Sequence, residues 1–70
     1  MRAEEAKQIV RDVVEHAINE RKKLTLEENF LFFEILDWKK DEDVEQEKIK
    51  ELYKVREAIY KRERPYTYWN

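Results

Sequence analysis

The chain has no glycine, no cysteine and no serine, and only one proline and one histidine among its 70 residues. Each absence removes a class of chemistry. Without glycine, phosphate-cradling loops of the Walker or dinucleotide type have no way to form, because those turns need backbone without a Cβ. Without cysteine there is neither a disulfide framework nor thiolate chemistry, and the redox compartment leaves no mark. With no serine or cysteine and a single His16, the usual nucleophile–base pairs lack their parts, so no enzymatic activity is expected. No cofactor, no metal site and no small-molecule substrate is expected either. Long apolar runs are missing too. None reaches the length needed to span a bilayer and no leading apolar region marks secretion, so the expectation is a soluble cytoplasmic protein with no membrane contact.

What remains is charge and aromatic surface. Charged residues make up 46% of the chain and aromatics 13%, with a net charge of only −2. The charged share is nearly twice the roughly 25% of an ordinary globular domain. The apolar residues recur at helical spacing, which separates this composition from a disordered one. Seventy residues make one domain at most, and a chain of this size buries only about 60% of its unfolded surface, so stability depends on regular helices or on a partner. A glycine-free chain rich in Glu, Lys and Arg suits a hyperthermophile protein or a designed helical miniprotein equally well.

The periodicity predicts three helices, at about 2–22, 26–40 and 44–63. In the first, Ala3, Ala6, Ile9, Val10, Val13, Val14, Ala17 and Ile18 share one half of the helical wheel. Thr25-Leu-Glu-Glu28 reads as a capping box that opens the second helix. The link between them is expected to be two or three residues, which forces an antiparallel pair. Asp43 is the expected N-cap of the third helix, with Asp41 as the alternative. That helix carries Val44, Leu52, Val55 and Ile59 on one stripe and Ile49, Tyr53 and Tyr60 on a flanking one, with Arg56 between; Glu57 and Lys61 have the favourable i,i+4 spacing. Pro65 ends it and leaves residues 65–70 as an extended tail holding Tyr66, Tyr68 and Trp69. The resulting expectation is an all-α antiparallel three-helix domain over residues 1–64 with an extended aromatic C-terminal tail.

The second helix is the informative one, because it is apolar on two sides. One arc holds Leu26, Phe30, Phe33 and Leu36; another holds Leu31, Ile35 and Trp38, with Phe32 between them. A helix apolar all round has to be covered all round. If this helix lies centrally, its two neighbours each cover one arc; otherwise part of the covering comes from another molecule. Phe30 and Phe33 are expected in the core, and Phe32 and Trp38 at least partly exposed. The expected partner-binding set is therefore Phe32, Trp38, Tyr53, Tyr60, Tyr66, Tyr68 and Trp69, aromatic anchors rimmed by charge.

Other features point less far. Nine acids face two bases between residues 27 and 47, and seven bases face three acids between 48 and 64. A basic third helix followed by aromatics would suit phosphate contact and base stacking, but its bases do not line one face. Nucleic acid is accordingly the second reading. Asp41, Asp43 and Glu45 imitate the start of a calcium loop, yet Gln46 and Leu52 stand where Gly and Glu are required. His16 is expected on the surface beside Asp12. The function that follows is a small helical protein–protein interaction module, whether adaptor, inhibitor or designed binder, pairing with another protein or with itself as a homodimer.

Overall fold

The computed structural model describes residues 1–63. They form three helices, α1 (Ala3–Asn19), α2 (Leu26–Leu36) and α3 (Gln46–Lys61). The all-α three-helix fold is the one expected from the sequence; the expected tail lies outside the described residues. Every helix is shorter than the periodicity suggests, and the link between α1 and α2 covers residues 20–25 rather than two or three positions.

The central helix is α1, so of the two alternatives for the second helix, the one that places it centrally does not hold. Ala3, Ala6, Val10, Val13 and Ala17 follow three-then-four spacing and are each at most 2% exposed. Side chains this small let two neighbours approach one seam. Accordingly, α1 packs extensively against both α2 and α3, whereas α2 and α3 have little backbone proximity to each other. From α2 the core receives Leu31, Phe32 and Ile35, and from α3 Ile49, Leu52 and Ile59. Ile49 thus belongs to the main stripe of α3, while Val55 is only partly buried against it.

The two ends of α1 are closed by backbone. Arg2, its N-cap, makes no side-chain cap. Instead the amides of Ala3 and Glu4 donate to the carbonyls of Glu42 (2.7 Å) and Lys40 (3.3 Å), and Val44 N–H donates to Met1 O (2.9 Å). This satisfies donors that a helix start leaves unpaired. It also gives the acidic 41–43 turn a physical role, since negative charge is favoured at a helix N-terminus. Asp43 pairs with Arg2 in an isolated bridge and does not cap α3. The N-cap of α3 is Glu45, without a side-chain hydrogen bond. Val44 lies in this loop and is buried.

At its other end α1 closes in a Schellman motif. Lys22 N–H donates to Ala17 O (2.9 Å) and Arg21 N–H to Ile18 O (3.2 Å). The motif needs a left-handed residue, normally glycine, and here Arg21 takes it with φ 53°. A non-glycine residue in that conformation costs roughly 1–2 kcal/mol, partly offset by the greater freedom that glycine loses on folding. Arg21→Gly should therefore raise unfolding stability by about 0.5–1 kcal/mol, read as a higher urea midpoint at unchanged slope. A lower midpoint would mean that the Arg21 side chain contributes more than its backbone costs.

Candidate docking surface on the second helix

Thr25 and Glu28 fix where α2 begins. The Thr25 hydroxyl accepts from Glu28 N–H (3.1 Å), and the Glu28 carboxylate accepts from Thr25 N–H (2.9 Å), completing the capping box expected from the sequence. The same carboxylate also holds the end of α3. Arg62 donates through Nη1 and Nη2 to the two Glu28 oxygens at 2.7 and 2.8 Å, and through Nη1 to Lys23 O at 2.7 Å. Glu28 is 8% exposed, the one buried charged residue among those described.

Its carboxyl is held below the usual range chiefly by the Arg62 hydrogen bonds; burial works against this, and the Thr25 amide supports it. At the other end of α2, Lys48 pairs with Glu34 across to the start of α3. Lys22 completes the clamp: its ammonium donates to the carbonyls of Ile59 (3.0 Å) and Tyr60 (2.8 Å) at the C-terminus of α3. It lies 2.9 Å from His16 Nε2, which therefore serves as acceptor. His16 also meets the Tyr60 ring edge-on at 4.4 Å between centroids. This half-buried setting replaces the expected surface pair with Asp12, which instead accepts from Gln8.

These contacts settle which arc of α2 faces inward. Leu31 and Ile35 are buried, as is Glu28, and Trp38 packs partly against the core. Phe32, expected to be at least partly exposed and part of the binding set, is only 2% exposed and is core. Phe30 and Phe33, expected in the core, are 61% and 66% exposed. The reason is the central position of α1: among the described residues no further element lies over the far side of α2. Leu26, Phe30, Phe33 and Leu36 thus form an open apolar stripe. It continues onto α1, where Val10, Val14 and Ile18 line a shallow groove with Leu36 of α2, edged by Arg11 and Glu15. Ile18 is 69% exposed.

The remaining expected anchors do not join this stripe. Trp38 borders a separate hollow with Glu34, Asp37, Lys39 and Glu42. Tyr53 and Tyr60 are exposed and border another with Arg56, Glu57 and Lys61, where the Arg56 guanidinium lies 4.9 Å over the Tyr53 ring. They occupy the flank of α3 turned away from Lys48 and Arg62, which face α2. Tyr66, Tyr68 and Trp69 lie outside the described residues. The residues that matter most, Leu26, Phe30, Phe33 and Ile18, were visible in the sequence only as members of apolar arcs. Nothing in the spacing tells the inner arc from the outer one.

No family model matches the chain, and no curated protein or solved structure is significantly similar to it. No group of three or more potential metal ligands gathers among the described residues, and no helix among them is long and apolar enough to cross a membrane.

The Glu28 geometry makes stability pH-dependent. A carboxyl whose folded pKa lies below its unfolded value contributes stability above the unfolded value and loses it as pH falls through the folded one. Stability should therefore decline as acidification passes below about pH 4.5, and Glu28→Gln should flatten that decline. The other carboxyl held low, Glu57, is fully exposed and contributes little to it. Arg62→Ala should cost about 2 kcal/mol, below the 3–5 kcal/mol of a fully buried pair because Arg62 keeps some solvent contact. Lys61→Ala should leave the melting curve where it is. Equal effects of the two would remove the special role given to the Glu28 fork.

Proposed function

We propose that the chain is a small helical protein–protein interaction module whose docking surface is the outer stripe of α2 and its border with α1. A single observation carries the reading: four large apolar side chains of one helix, joined by Ile18, stand open to solvent although the core beneath is closed. The stripe offers on the order of 500 Å² of contiguous apolar surface, at the upper end of what monomeric proteins leave open. Two neighbouring phenylalanines at its centre, rimmed by Glu27, Glu34, Asp37 and Arg11, have the make-up of an interface centre with a polar rim.

The basic third helix supports nucleic-acid binding less well. Lys48, Lys61 and Arg62 are engaged with Glu34, Glu57 and Glu28, and Arg56 lies over Tyr53. Half of its positive charge is thus already matched within the fold. The proposal assigns no catalysis, in keeping with a composition that lacks the common nucleophiles.

The reading separates two adjacent phenylalanines. Phe33→Ser combined with Phe30→Ser should leave unfolding stability within about 0.5 kcal/mol of the parent, as for other exposed positions. The pair should also abolish the fluorescence gain of an anilinonaphthalene sulfonate dye added to dilute protein. Phe32→Ala, one position away, should cost about 3–5 kcal/mol. A double variant that unfolds the chain would make the stripe part of the core and overturn the reading.

A further inference from the structure

Resting on the docking surface just described, we infer that its occupant is a second copy of this chain, seated α2 against α2 with the two helices antiparallel. The first argument is area. Five exposed side chains on each copy together give about 1,000 Å² of buried apolar surface before any flanking residue is counted, which meets the threshold for a specific protein pair. About 500 Å² per copy is roughly a tenth of the chain's 5583 Å² surface, the share that an ordinary specific interface takes from a small protein.

The second argument is self-complementarity. Leu26, Phe30 and Phe33 follow four-then-three spacing, the pattern of a two-helix seam. Beside that seam each copy presents one shallow apolar groove on the α1 flank. Ile18, largely exposed, forms its wall at the level where α2 begins, and Val10, Val14 and Leu36 form the recess toward the level where α2 ends. A two-fold axis perpendicular to both α2 helices keeps like flanks together and reverses their direction. It therefore carries Ile18 of each copy to the recess of the other, and both contacts form at once, as an isologous interface requires.

The parallel alternative would set the α1 flank against the α3 flank. Ile18 would then face Glu27 and Glu34 in place of an apolar recess. The antiparallel pairing does bring Glu27 toward Glu34 of the second copy, but Lys48 already accompanies Glu34. Repulsion between solvated charges at a rim is weak beside burial of two isoleucines and two leucines. The assembled unit is a bundle of α1 and α2 from both copies, with α3 of each on the outside.

The test is the mass of the full 70-residue chain, followed by light scattering behind a sizing column from low micromolar to millimolar concentration. The expected result is a rise from 8.8 kDa toward twice that value. Phe33→Glu and Ile18→Glu should each keep the monomer mass at every concentration, with an unchanged circular dichroism spectrum. Tyr53→Glu, on the far flank of α3, should pair as the parent does. A parent chain that stays at 8.8 kDa throughout overturns the second copy as occupant. If that monomer still binds the dye, the surface reading stands and the partner is a different protein; if it binds none, both readings fall. A monomer that begins to pair only after removal of residues 64–70 gives the stripe to the chain's own tail and likewise overturns the inference. Pairing that survives both Phe33→Glu and Ile18→Glu places the interface elsewhere and overturns it as well.

Discussion

The arrangement depends on the narrow seam of α1. Alanine and valine at five positions spaced three and four apart allow two helices to approach one face of a third. Once α1 holds the centre, α2 and α3 lie to either side of it and each has only one face turned inward. For α3 this suffices, because its sequence is apolar on one side. For α2 it does not, because the second apolar arc has been left pointing at solvent. The exposed stripe is thus a consequence of which helix took the centre, and a bundle centred on α2 would have had none.

The backbones of α2 and α3 come little into proximity, and charged groups at the ends link the two helices directly. Arg62 holds the start of α2, Lys48 its later turn, and Lys22 the last carbonyls of α3. The clamps differ in strength for a physical reason. The Glu34 carboxylate that Lys48 meets is half exposed, and pairs open to solvent on one side contribute little. Glu28 is buried and accepts three hydrogen bonds, one from Thr25 and two from Arg62. One carboxylate therefore starts a helix and ends another, and the boundaries of both respond to its protonation.

Much of the fold was legible in the sequence. The capping box at Thr25 and Glu28, the one-faced pattern of α1 and the i,i+4 pair of Glu57 and Lys61 all rest on local spacing, and all are present in the structure. What was not legible depends on contacts distant in sequence. The loop carbonyls that close the start of α1 come from residues 40 and 42, so no cap at Arg2 or Asp43 announces them. The left-handed residue ending α1 is an arginine, which hides a stop that glycine would have shown. Phe32 and Phe33 were assigned to the wrong sides because both arcs of α2 have similar apolar content. A wheel ranks residues by direction and does not say which direction is inward.

That ambiguity is a property of the molecule as well as of its sequence. Rotated about its axis by roughly half a turn, α2 would present Leu26, Phe30, Phe33 and Leu36 to α1, and burial of four large residues would be recovered either way. Apolar area alone does not choose between the settings, since each fully buried side chain of this size is worth about 1.5–3 kcal/mol on either face. The polar groups do choose. In the observed setting Glu28 faces the end of α3, where Arg62 forks onto it; in the rotated one both would lose their partner. A preference of about 2 kcal/mol from such a pair corresponds to roughly thirty-fold in population. The buried ion pair thus acts on α2 as a buried polar residue acts on a coiled coil, setting orientation more than adding stability. By fixing which aromatics lie inside, it also fixes which are left open to solvent.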